Sequence, residues 1–162
     1  MALYFYTPLT INGYLSNFYK VNFKENNLIF NCSEQYFMYQ KCLTFNPKNN
    51  ILLNKILSEV NSYKIKQFGR QVKNYNESVW NKARYGIMIK ALRLKFTQNA
   101  DIKAKLLSTN PKKLYEVSPY DSIWGIGLSV QEAMYTDPKH YGSNLLGKAL
   151  MQIRDELVFT ET

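Results

Sequence analysis

Glu34 and Lys41 stand seven residues apart in the stretch SEQYFMYQKCL (33–43), with aromatic residues between them. If Ser33 caps a helix here, Glu34 falls in its first turn, where unpaired backbone N–H groups favour an ionised carboxylate. Positions 34, 38 and 41 then share one face, which points Glu34, Met38 and Lys41 the same way. Two turns separate the charges by about 10.5 Å along the axis, too far for an intrahelical ion pair. A small substrate can lie between the two side-chain ends, which makes them a candidate catalytic pair. The plainer alternative is a favourable first-turn acid and a lysine whose stem lies along the surface.

Three further stretches carry polar chemistry. In SPYDSIWGIG (118–127), Asp121 is a lone carboxylate between Tyr120 and Trp124, and Gly125 and Gly127 allow a ligand to approach the backbone. The stretch lacks the third glycine and the strand–helix context of a dinucleotide fingerprint, so a nicotinamide-dependent reading is poor. The alternative is a turn packed by aromatics. GSNLLGKALMQIR (142–154) puts Asn144 at a helix start and Gly147 one turn in, a place for a phosphate or ribose hydroxyl, or an ordinary capped helix. Finally, Arg70 precedes Trp80 and Arg84, which share a helical face and suit a ring and a phosphate; otherwise Trp80 is core and Arg84 lies along its edge.

Composition limits the setting. The chain has 162 residues, 46% hydrophobic and 20% charged, enough for one domain with its own core. Its aromatic share is high, with 13 Tyr, 9 Phe and 2 Trp, so rings are available for stacking as well as for packing. Cys32 and Cys42 are too few for a disulfide framework and fit buried thiols in a reducing, cytoplasmic setting. The N-terminus lacks the features of a signal peptide, and no apolar run is long enough to span a bilayer, so no membrane partner is expected. One histidine, His140, leaves little material for a metal site or a Ser–His–Asp triad, and neither metal nor cofactor is expected. The formal charge is +9, and residues 64–113 hold 13 of the 21 Lys and Arg against two acids. Such a field attracts phosphates, unless it is only a solvated lysine-rich surface.

The elements that must position these residues follow from periodicity. Residues 3–7 and 20–32 have strand character, the latter with a hairpin turn at Glu25-Asn26-Asn27. Helices are predicted over 33–45, 49–60, 62–68, 76–96, 101–107 and 144–158, the first and last capped by Ser33 and Ser143. In the longest, Val79, Trp80, Ala83, Ile87, Ala91 and Leu94 are expected to face inward. Residues 113–118 form a strand, followed by a turn at Pro119-Tyr120-Asp121-Ser122. With no linker or repeat, the expectation is a single α+β domain, helix-dominated, with a small N-terminal sheet.

Taken in order, these stretches resemble the NADAR (YbiA-like) family. The resemblance rests on LSNFY (15–19), the Ser-Glu-Gln-Tyr helix ending in Tyr39-Gln40-Lys41, Gly69-Arg70-x-Val72, and Trp80 with Arg84 and Met88. It continues through KFTQN (95–99), LL-x-T (106–109), YDSIWGIG and NLLGKALMQIR, and covers roughly residues 4–158. Many members carry Glu-His where this chain has Glu34-Gln35, so no role for a ring histidine there carries over. The resemblance implies an N-glycosidase acting on ribose linked to nitrogen. The substrate is ADP-ribose on guanine, as a nucleoside or within DNA or RNA, or a phosphorylated ribosylamino-pyrimidine intermediate of riboflavin synthesis. Under it, Glu34 becomes the acid/base, Lys41 a nucleophile or electrostatic partner, and Asp121 a reserve carboxylate for ribose hydroxyls. Trp80, Tyr120 and Trp124 become candidates to stack the base, and Arg70, Arg84 and Asn144 to hold phosphates. Asn17, Phe18, Gly125, Gly127 and Gly147 complete the ligand-binding set. Two rivals remain: a nucleic-acid-binding module and a catalytically dead ADP-ribose reader.

Overall fold

A computed structural model describes residues 1–161 and divides them into two compact units, one of 1–16 with the residues from 100 onward and one of 17–99. Helix dominates, with seven α-helices and two small sheets among the described residues. None of these helices is long and apolar enough to cross a membrane.

Unit 17–99 is built around one helix. Strands β2 (Phe23–Glu25) and β3 (Leu28–Phe30) form an antiparallel hairpin, with Phe23 opposite Phe30 and Asn26 turning the chain at φ 55°. Helix α1 (Ser33–Phe45) follows, and α2 (Asn50–Ser58), α3 (Ser62–Gly69) and α4 (Glu77–Thr97) all pack against it. An asparagine outside each N-terminus explains where the last three begin. The Asn49, Asn61 and Asn76 side chains accept hydrogen bonds from the first free backbone N–H groups. Residues Ser33 through Met38 are all buried, so α1 has no solvent face over its first two turns. Phe23, Phe30 and Tyr36 stack beneath it, and the Tyr36 hydroxyl donates to Glu25, which also pairs with Lys90 at 2.9 Å.

The unit 1–16 with 100–162 rests on a parallel pair, β1 (Ala2–Phe5) against β4 (Lys113–Glu116). Helix α5 (Ala100–Ser108) packs on α7 (Leu145–Glu161), which covers β4 with Leu146, Ala149, Leu150 and Ile153. Arg154, buried on α7, donates to Thr109 Oγ1 and to the Lys112 carbonyl, fixing the turn that leads into β4. Helix α6 (Val130–Met134) buries Ala133 with Val117 and Ile126.

Three sequence expectations need correction. Cys32, not Ser33, is the residue before α1; Ser33 is helical and its buried Oγ has no hydrogen-bond partner among the described residues. Helix α7 starts at Leu145 because Asn144 takes φ 51°, outside the helical region. In α4 the buried face is Trp80, Met88, Ala91, Leu92, Lys95 and Phe96, while Val79 is exposed and Ala83, Ile87 and Leu94 are partly buried. The face was mis-set because a lysine lies in it. Lys95 is 0% exposed, with its Nζ 5.7 Å from the Tyr19 ring centroid and 5.1 Å from that of Phe96.

Burial pushes the Lys95 amine down to about 7, and the nearby Cys32 thiol acts in the opposite direction. The unfolded chain therefore holds this proton up to its ordinary value of 10.5, and the folded chain gives it up earlier. Between about pH 7 and pH 9 the unfolded state binds more protons, so stability rises with pH. Urea unfolding should show that rise in the parent chain. Lys95→Met, which cannot titrate, should abolish that rise. Above about pH 10 the trend reverses, because burial also raises the Tyr14 and Tyr36 phenols and their ionisation favours the unfolded chain.

Candidate active site at the start of helix α1

Helix α1 delivers Glu34 and Lys41 in the order the sequence suggested, but in a less exposed setting. Glu34 is 7% exposed, and its backbone N–H donates to the Asn17 carbonyl at 3.0 Å, tying the LSNFY loop to the first turn. The Asn17 Oδ1 and Ser33 Oγ atoms beside it are buried acceptors with no hydrogen-bond partner among the described residues. A buried polar atom of that kind costs on the order of 1–3 kcal/mol, which a ligand hydroxyl or amine would relieve.

Lys41 lies two turns on, partly buried. Its Nζ donates to the Gly69 carbonyl at 2.9 Å and sits 5.1 Å from the Tyr75 ring centroid. Burial lowers its affinity for a proton, the nearby Glu34 carboxylate opposes that shift, and the Arg70 guanidinium reinforces it. Glu34, Lys41 and Arg70 are thus close enough to feel one another's charge. Gly69 eases the approach: a Cβ there would meet the Met38 thioether, which would have to move aside.

Other expected ligand residues of this unit are placed as follows. Phe18 stands against the Tyr63 ring at 5.8 Å, and its carbonyl accepts from Ser62 Oγ. Arg70 is exposed at the end of α3, and Arg84 is partly buried on α4. Trp80 is 6% exposed and packs against Phe37 and Phe45 at 5.1 and 6.1 Å, so the core alternative describes its ring and base stacking does not.

In the other unit, the Asp121 and Asn144 stretches are joined to each other. Asp121 Oδ1 accepts from the Ile123 and Trp124 N–H groups, both at 2.9 Å, and so shapes its own turn. The N–H groups of Asn144, Leu145 and Leu146 donate to the carbonyls of Gly125, Ile123 and Trp124. The donors at the start of α7 expected to hold a phosphate are therefore already satisfied. The Asn144 side chain is likewise engaged at both ends, by the Glu116 N–H and the Leu114 carbonyl of β4, and Gly147 gives it room. These contacts correct the phosphate-holding expectation for Asn144: it is a strap between β4 and α7. Gly125 is buried, Gly127 has φ 73°, and Tyr120 is 92% exposed.

One residue was given no role in the sequence analysis. Gln35 is almost wholly buried; its Oε1 accepts from the Asn31 N–H at 2.7 Å, and its Nε2 reaches the Ile56 and Leu57 carbonyls near the end of α2. It orients the turn that carries Glu34. A glutamine directly after the candidate carboxylate was the available signal. No group of three or more potential metal ligands occurs among the described residues.

Comparisons with known proteins identify the family. The NADAR domain matches residues 4–158. The chain is 43% identical to N-glycosidase R617 of Acanthamoeba polyphaga mimivirus, over 87% of this chain and 85% of that protein. It is 31% identical to N-glycosidase YbiA of Escherichia coli (strain K12), over 94% of this chain and 86% of the relative. The NMR structure of the E. coli protein YbiA matches 99% of this chain and 86% of that one, with a TM-score of 0.80 at 29% identity. A riboflavin biosynthesis protein of Vibrio vulnificus (strain YJ016), VVA0006, is 30% identical over 96% of this chain, which spans 38% of that longer protein. With the family match covering nearly its whole length, the chain belongs to the NADAR family.

Proposed function

We infer that this chain is an N-glycosidase, a hydrolase acting on the bond between ribose and nitrogen. The observation that carries the reading is helix α1, which holds a buried carboxylate at its first turn and a partly buried amine two turns on. Relatives named as N-glycosidases, matched over most of their length, support it. The substrate we favour is ADP-ribose attached to guanine, with residues 4–158 acting as one NADAR domain in the cytoplasm. The free, buried thiols of Cys32 and Cys42 suit that compartment. The match to VVA0006 favours a second reading, clearance of a phosphorylated ribosylamino-pyrimidine.

The chemistry divides between two residues. An aminoribosyl linkage opens its sugar ring to expose a C1–nitrogen imine. The neutral Lys41 amine adds to C1; Glu34 protonates the departing base nitrogen, and the C1–N bond breaks to leave a Schiff base on Lys41. Water then adds to C1, Glu34 assists the proton transfers, and the free sugar and the lysine amine are released. The depressed proton affinity of Lys41 suits a group that must be neutral to react. Asn17 Oδ1 and Ser33 Oγ are acceptors suited to ribose hydroxyls, and Arg70 is a cation for the phosphates. Phe18 and Arg84 are the remaining ligand candidates of this unit.

Mass spectrometry of products decides the substrate. Incubation with ADP-ribosyl-guanosine should yield ADP-ribose and guanosine, and Glu34→Gln should slow this by at least about a hundredfold. Cleavage of only a ribosylamino-pyrimidine phosphate would move the function to the second reading. Intact substrate that nevertheless binds would mean a reader.

Borohydride added during turnover should leave a stable sugar adduct on the Lys41 peptide, absent in Lys41→Ala. An active Lys41→Ala variant with no adduct in the parent would remove the Schiff-base step.

The pH profile tests the electrostatics. Turnover should climb with pH as Lys41 loses its proton. Arg70→Gln removes a neighbouring positive charge, raises the amine's affinity for a proton, and should move the climb to higher pH. An unmoved limb would mean that Lys41 is not the titrating group.

A further inference from the structure

We propose that the outer surface of α3 and the loop after it is a docking strip for single-stranded nucleic acid, which brings a modified base within a polymer to the site. The inference rests on the N-glycosidase reading for the purpose of the bound strand, but not for the binding itself.

The charge of the molecule is confined to one part of it. Residues 17–99 hold 14 Lys and Arg against four acids; the rest of the chain holds seven against eight. Within that unit, no acid occurs between Glu59 and Glu77, while Lys64, Lys66, Arg70 and Lys73 are all exposed. Tyr63 is 69% exposed at the start of the strip, and Tyr75 is 46% exposed near its end. Cations flanked by accessible rings suit a flexible single strand, the cations for phosphates and the rings for unstacked bases.

The strip is also held rigidly against the candidate site. Lys41 donates to the Gly69 carbonyl in its middle. Further on, the Asn46 side chain accepts from the Lys73 N–H at 2.8 Å and donates to the Lys73 carbonyl at 2.6 Å, at the residue that ends α1. Both anchors are on the helix that carries Glu34, so a strand bound along the strip is registered against that helix. Arg70 and Tyr75, the guanidinium and ring beside Lys41, belong to the strip as well.

The test uses the full chain and a fluorescently labelled, unmodified single-stranded oligonucleotide, read by anisotropy. Binding should weaken with salt with a log–log slope of about −2 to −3, as expected for three or four phosphate contacts. The Lys64→Glu/Lys73→Glu pair should weaken binding at least about tenfold and flatten that slope, while turnover of free ADP-ribosyl-guanosine stays at the parent rate. Should the charge reversal fail to fold, the milder Lys64→Gln/Lys73→Gln pair should show a smaller loss in the same direction. Salt-independent binding, unchanged affinity in both variants, or binding to phosphatidylserine vesicles and not to the oligonucleotide would overturn the proposal. If neither small substrate is cleaved but oligonucleotide binding follows the predicted pattern, the glycosidase reading fails and the docking strip stands.

Discussion

Burying the first two turns of α1 on every side is the constraint on which the rest of unit 17–99 depends. A helix without a solvent face cannot shed its polar groups into water, so each must find a partner or pay for desolvation. Gln35 meets that demand by reaching backbone groups on two neighbouring segments. Glu34 and Ser33 sit under the same constraint, at the end of the helix where backbone N–H groups favour negative charge. A carboxylate in such a place is already desolvated and oriented before any ligand arrives.

The same packing explains the lysine at the other end of the pair. Met38 is one turn below Lys41, and Gly69 eases the approach of α3 to the thioether. That closeness brings the Gly69 carbonyl to the Lys41 amine and puts Arg70 within range of its charge. One glycine therefore links core packing to the chemistry of an amine. The loop before α1 is fixed by the Asn17–Glu34 backbone bond, and the unpartnered Asn17 and Ser33 oxygens are left facing burial without relief. Stability given up at such atoms is a common mark of a site shaped for a ligand.

Much of this was legible in the chain. Glu34 and Lys41 showed as a pair because their seven-residue spacing and the helical period put them on one face. The starts of α2, α3 and α4 were read to within a residue, and the asparagine caps the structure shows there are local interactions. The hairpin turn at Glu25-Asn26-Asn27 was readable for the same reason, and Asn26 takes the positive φ such a turn uses. Asp121 and Asn144 stood out in the sequence, and the structure shows that each also has a local structural task. A carboxylate that shapes its own turn and an amide that straps a strand to a helix have the same sequence signature as ligands of a substrate.

Sequence alone determined the family and the helix-dominated α+β class, and it put Glu34 and Lys41 on one helical face, because these depend on residue type and short spacing. Tertiary structure decided which face of α4 is buried, that Lys95 is inside, that Trp80 is core, and that the α7 N-terminus is already occupied. Each of those outcomes depends on partners distant in the chain. A helical face is chosen by what packs against it, and a backbone donor is free only if no remote carbonyl reaches it.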